Sequence, residues 1–116
     1  MAHFPEFMKN PANRIAAGSQ HTPGITGYVF DGADGSQMAF WECGSDANTA
    51  DHVHAFDEYI VVVEGCYTLT FNGRDVHLTA GQEYFIPKGT KIAGRATAGT
   101  RSIHVFGGHR ADRAPT

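Results

Sequence analysis

Asn72-Gly73 stands between two runs of alternating apolar residues. Tyr67, Leu69 and Phe71 precede it, interleaved with Thr68 and Thr70. Val76 and Leu78 follow, with His77 on the other face. A two-residue type I′ turn needs positive φ at both central positions, and Asn-Gly tolerates that best. The segment predicts a β-hairpin with one buried face. Strands of this kind cannot bury that face alone, so the rest of the chain has to supply a second layer.

The remaining sequence supplies it. Ile25 to Phe30 is an apolar, β-branched run ended by Asp31-Gly32, and Gln37 to Glu42 alternates around Met38, Phe40 and Trp41. Tyr59 to Val63 is apolar on both faces, which predicts that both are covered, the outer one by the N-terminal segment or a second subunit. Tyr84-Phe85-Ile86 and Ser102 to Phe106 complete the set, and Ala80-Gly81, Pro87-Lys88-Gly89 and Gly107-Gly108 are turns. Short strands at close spacing predict an all-β fold, a small antiparallel barrel or sandwich. Ile15-Ala16-Ala17 suits a single helical turn, and no longer helical period is present. With 116 residues the chain reads as one domain. Residues 1–24 form an N-terminal segment packing on the barrel or a partner, 25–108 the barrel, and 109–116 a loose tail.

Composition removes several functional classes. A net charge of −3 argues against a module held to nucleic acid by phosphate contacts. Nothing approaches the roughly 20 apolar residues that span a bilayer, and Met1 to Phe7 lacks a basic stretch leading into an apolar one. The expectation is a cytoplasmic protein with Cys43 and Cys66 as free thiols. Phosphate-binding Gly-x-x-x-x-Gly-Lys loops, Gly-x-Ser-x-Gly elbows and Cys-x-x-Cys pairs are missing.

Chemistry concentrates in Asp51-His52-Val53-His54-Ala55-Phe56-Asp57-Glu58. On a strand His52 and His54 point the same way, and Glu58 returns to that face if the chain stays extended. Two imidazoles and a carboxylate suit a divalent transition metal such as Zn, Fe, Mn, Ni or Co. The bland alternative is a polar segment with solvated histidines. His3, His21, His77 and His109 lie in irregular sequence or on an outward face and are expected to be solvated.

His52-x-His54-x-x-x-Glu58, followed after six residues by Gly65, resembles the first motif of the cupin superfamily. Gly81, five residues, then Pro87-Lys88-Gly89 resembles the opening of its second motif, and the fifteen-residue spacer resembles that of small single-domain (cupin 2 type) members. The resemblance covers residues 25–106 and implies a jelly-roll β-barrel, commonly a homodimer, with one metal inside. Three positions depart from the pattern. Asp46 stands where a Gly is usual, and Ile92 where the second motif has its histidine, with Ala96 in place of the following Asn.

The missing ligand leaves three possibilities. His52, His54 and Glu58 form a three-ligand set; His104 fills the gap; or the barrel is a metal-free cavity. His104 reaches Ile92 across a hairpin if Thr97-Ala98-Gly99 is its loop, or enters from the facing sheet if the two strands belong to different layers. An isoleucine at 92 favours a substrate with a hydrophobic part. Phe40, Trp41, Phe56, Tyr84 and Phe106 are candidates to shape the cavity, and Tyr84 or Tyr67 to place a hydroxyl. Catalytic residues stay unassigned. The functional expectation is a metal-dependent enzyme on a small organic molecule, by oxygenase or cyclase/isomerase chemistry. The alternative is a non-catalytic barrel that binds a small ligand as a sensor or regulator.

Overall fold

The computed structural model describes residues 3–19 and 24–115. Ten strands run in order: β1 Ile25–Asp31, β2 Gln37–Cys43, β3 Ala47–Asn48, β4 His52–Val53, β5 Glu58–Glu64, β6 Cys66–Phe71, β7 Arg74–Thr79, β8 Glu83–Ile86, β9 Lys91–Ala96 and β10 Arg101–Phe106. All pairings are antiparallel. One sheet has the order β1-β2-β10-β5-β8 and the other β3-β9-β6-β7, with β4 also pairing β9. The sheets face each other as a jelly roll without closing into a continuous barrel.

The hairpin read from Asn72-Gly73 is present. Asn72 has φ 52° and Gly73 φ 70°, and β6 pairs β7 from Cys66 with Thr79 to Phe71 with Arg74. His77 is exposed, as its alternation predicts, and its Nδ1 meets Thr68 Oγ1 at 2.8 Å. His3 and His109 are exposed too, against Glu42 and Asp112; His21 lies outside the described residues. Strand β9 carries little signal of its own, since Ile92 is the one large apolar residue in Lys-Ile-Ala-Gly-Arg-Ala. It forms because β6 holds one edge and β3 and β4 the other.

Two apolar clusters fill the space between the sheets. One contains Ile15, Val29, Ala39, Trp41, Phe106 and Ala111. The other contains Ile60, Val62, Leu69, Leu78, Ile86 and Ile92. Strand β5 buries Ile60 and Val62 between the sheets, while Tyr59, Val61 and Val63 on its outer face are only half-buried. Complete cover of that face is therefore not provided by the described residues. The N-terminal segment lies elsewhere: Phe4 is buried against Phe40 with ring centroids 4.7 Å apart, beneath the Arg101 guanidinium.

The helical turn falls at Ala17–Ser19 rather than at Ile15. Ile15 is extended because its N–H donates to Gly27 O at 2.9 Å and its side chain, 2% exposed, enters the first cluster.

The C-terminal segment is not a loose tail. Gln37, itself 2% exposed, clips it down: its Oε1 accepts the N–H groups of Arg110 and Ala111, and its Nε2 donates to Ala111 O. Ala111 is buried, Arg113 bridges Ile15, and the Arg113 guanidinium donates to Asp31, Asn13 and Val29 O. Polar composition alone misses this docking, because its main partner is a single buried amide on β2.

Candidate metal and ligand site

A cavity of about 580 Å³, including its open mouth, lies between the sheets and draws lining from both. His52, His54, Glu58 and His104 all line it, with Trp41, Tyr67, Ser102 and Arg110. Strand alternation explains most of this gathering. On β10, Ser102, His104 and Phe106 point inward, and Glu58 opens the adjacent β5 with Phe106 as its register partner. His52 reaches the cavity from the second sheet, where it pairs with Ile92.

The alternative in which His104 enters from the facing sheet is the one realised. β9 and β10 belong to different layers, so Thr97-Ala98-Gly99 joins two sheets and Ile92 and His104 are not cross-strand neighbours. Phe40 faces outward, stacked on Tyr28 at 5.4 Å, and Tyr84 packs on Phe71. Neither shapes the cavity. Trp41 and Phe106 do, whereas Phe56 backs the site by stacking on His54 at 5.0 Å.

Glu58 is the hub. It is 8% exposed; His104 Nδ1 lies 2.9 Å from its Oε2 and His54 Nε2 lies 3.4 Å from its Oε1. Burial alone pushes a carboxyl up, but these imidazoles outweigh burial and hold Glu58 down to about 2. Glu58 is thus a carboxylate at neutral pH and can only accept hydrogen bonds. His104 Nδ1 must then carry the proton it donates to Glu58. In the neutral imidazole Nε2 becomes the acceptor, so the Ser102 hydroxyl donates to it at 2.9 Å. Both nitrogens of His104 are thereby engaged, and its ring is wedged between Trp41 at 4.8 Å and Tyr67 at 5.6 Å.

His52 and His54 stand with ring centroids 4.8 Å apart. His52 Nδ1–H donates to Ala50 O at 3.1 Å, which puts the imidazole lone pair on Nε2. Burial lowers the His52 pKa and favours that neutral form. Metal-ligating histidines characteristically hold their second N–H on a backbone carbonyl in this way. The donor chemistry therefore fits a divalent cation. As they stand, no three His, Cys, Asp or Glu side chains among the described residues converge into a formed cation site. The carboxylate is shared instead between two imidazoles.

Of the two candidate hydroxyls only that of Tyr67 belongs to the cavity, and Arg110 stands out only once the structure is known. Tyr67 lines the cavity with its hydroxyl over Gly94, and burial pushes its phenol well above the usual range, so it stays protonated. Arg110, outside the barrel strands, reaches the mouth over the rings of Trp41 and Phe106. Cys43, buried at the cavity edge with its thiol pushed up to about 11, and half-buried Cys66 are both free thiols.

A two-sheet jelly roll with His52, His54 and Glu58 opening into its interior defines a cupin. The solved structures agree: an RmlC-like cupin from Shewanella frigidimarina NCIMB 400 superposes with TM-score 0.70 at 20% identity, covering 85% of this chain and 86% of that one. Residues 3–110 match the family described as ethanolamine utilisation protein EutQ, and the chain belongs to that family. Among solved members, ethanolamine utilization protein Q of Salmonella typhimurium LT2 gives TM-score 0.63 at 21% identity over 76% of this chain and 71% of that one. The EutQ protein of Clostridium difficile gives 0.56 at 25% over 84% and 77%. A search of curated proteins gave no match. Among the described residues no helix is long and apolar enough to cross a membrane.

Proposed function

We propose that the cavity holds one divalent transition metal on His52, His54 and Glu58 and acts there on a small organic molecule. The observation that carries this reading is the His52 Nδ1–H···O=C bond to Ala50, which presents Nε2 in the metal-binding tautomer beside His54 and an ionised Glu58. Such a metal, when bound, would polarise a carbonyl or enolate oxygen or bring dioxygen to the substrate. Either oxygenase or cyclase/isomerase chemistry is compatible with that role. His104 acts behind the carboxylate: by holding Oε2 it turns Glu58 into the cavity. Tyr67 is a hydrogen-bond donor at neutral pH, whereas Glu58 is too acidic to donate a proton.

Elemental analysis of the purified protein checks the reading. About one metal per chain is expected, falling at least tenfold in His52→Ala and in His54→Ala. A protein that takes up no Zn, Mn, Fe, Ni or Co from an excess contradicts it. A second reading, a ligand-binding barrel without turnover, draws support from Ile92, which pairs with His52 and is buried in the second apolar cluster where the resemblance has a fourth ligand. It predicts an organic ligand bound at full occupancy without metal.

We also propose that two copies pair through the outer face of the first sheet. Phe30 and Met38 are register partners, as are Tyr59 and Phe85, and Met38 and Phe85 are 49% and 57% exposed. Apolar area of this kind on a sheet face is costly in water. Light scattering is expected to give twice the monomer mass, and Phe85→Asp with Met38→Asp to give monomers. A wild-type monomer at micromolar concentration excludes the pairing.

A further inference from the structure

We infer that Arg110 is the anchor for the anionic group of the cavity's ligand, and that this ligand is a small organic carboxylate with an apolar body. The inference rests on the cavity being a ligand site, and it adds the class of ligand.

Arg110 differs from the other half-buried arginines of the described chain. Arg101 has Glu64 at 2.8 Å and Arg113 has Asp31 at 2.8 Å. Arg110 has no carboxylate at ion-pair distance among the described residues. Among the described residues its guanidinium makes one polar contact, from Nη1 to Ser19 O, and otherwise lies over Trp41 at 5.7 Å and Phe106 at 5.8 Å. Glu58 is near enough to stabilise its charge but is already held by His54 and His104. A guanidinium withdrawn from water with no anion is costly, and here it is the cavity that supplies room for one.

The position is also built. Gln37 takes the Arg110 backbone N–H at 2.6 Å, so the residue is fixed by a buried side chain on β2. The Ser19 carbonyl takes one N–H, and no other described residue takes a guanidinium donor, which leaves donors for a ligand. A planar carboxylate accepts from such a fork in the plane of the group. Trp41 and Phe106 form apolar walls beside it, and the Tyr67 hydroxyl, which makes no hydrogen bond among the described residues, is a further donor in the same cavity. Those walls select a body of carbon rather than a hydrated phosphate.

Trp41 is the one tryptophan of the chain and lies under the guanidinium, so its fluorescence reports on the site. The experiment titrates the full chain, excited at the tryptophan edge, with benzoate, with neutral benzamide and with inorganic phosphate. Benzoate is expected to give a saturable change at least tenfold tighter than benzamide or phosphate. Arg110→Gln is expected to weaken benzoate at least tenfold, and Arg110→Lys about threefold, because a point charge replaces the fork. Melting curves verify that both variants fold, and the lysine variant alone suffices if the glutamine variant does not. Absence of saturable benzoate binding, equal binding of benzamide or phosphate, or unchanged affinity in the Arg110 variants overturns the inference. Elemental analysis of the same samples separates the two readings. Arg110-dependent benzoate binding to a protein that takes up no metal leaves the anchor standing and removes the metal. A metal-loaded protein whose benzoate affinity ignores Arg110 does the reverse.

Discussion

Glu58→Leu is expected to destabilise the metal-free protein by about 3 kcal/mol, the upper end of the scale for leaving a buried hydrogen-bonding group without its partner. Denaturant unfolding measures it. Leucine fills much of the space, so the loss comes from stranding His104, 5% exposed, and His54 without their acceptor. That origin has a signature. If the cost is an orphaned imidazole, His104→Leu in the Glu58→Leu background restores part of the loss, since an apolar pair in a buried site lacks the desolvation penalty. Strictly additive losses in the double-mutant cycle contradict the coupling. The same variant is expected to take up no metal.

Acid gives the complementary measurement. The Glu58 carboxyl titrates near 4.5 unfolded and about 2 folded, so the native state binds this proton less readily than the unfolded state. Its contribution to stability is fully present above pH 4.5 and is lost as pH falls from there through 2. The wild type, freed of metal by chelation, is expected to lose about 3 kcal/mol over that window beyond what Glu58→Leu loses. Parallel pH profiles for the two proteins would show that Glu58 is not the acid-sensitive group.

Gly65→Ala is expected to cost about 3 kcal/mol or more, with a matching fall in melting temperature. Gly65 joins β5 to β6 at φ 85°, a left-handed conformation that costs an L-residue about 1–2 kcal/mol. A Cβ there would also lie 2.4 Å from Thr100 Oγ1 and 2.7 Å from its Cα. Thr100 cannot retreat. It is fully buried, and its hydroxyl accepts from Cys66 N and donates to Cys66 O, both at 3.1 Å. Relief has to come from the backbone of both sheets, at an overpacking cost of about 1–3 kcal/mol. Gly73→Ala is the control, because φ is also positive there but no atom lies within 4 Å of the added Cβ. A loss at Gly65 no larger than at Gly73 would mean that the contact with Thr100 carries no energy.

Gly65 also shows why some of the site was legible from the chain. The spacing from His52 through His54 and Glu58 to Gly65 is local, and strand alternation turns local spacing into a shared face. The hairpin at Asn72-Gly73 follows from two φ angles. Strand β9 was hidden because its stability comes from β4 and β6 on its edges and not from its own side chains. The docked C-terminus was hidden because Gln37 looks like any polar residue until five hydrogen-bonding groups close around its buried amide.

What the chain alone determined is whatever depends on neighbours within a few residues: the turns, the alternation and the local spacing of His52, His54 and Glu58. What only tertiary structure decided is which distant groups meet. His104 and Glu58 are 46 residues apart, and Arg110 arrives from beyond the last strand. Sheet assignment settles such encounters, because β10 could pair with β9 or cross to β2 and β5 with the same alternation. Burial of Trp41, His104 and Phe106 between two layers selects the second.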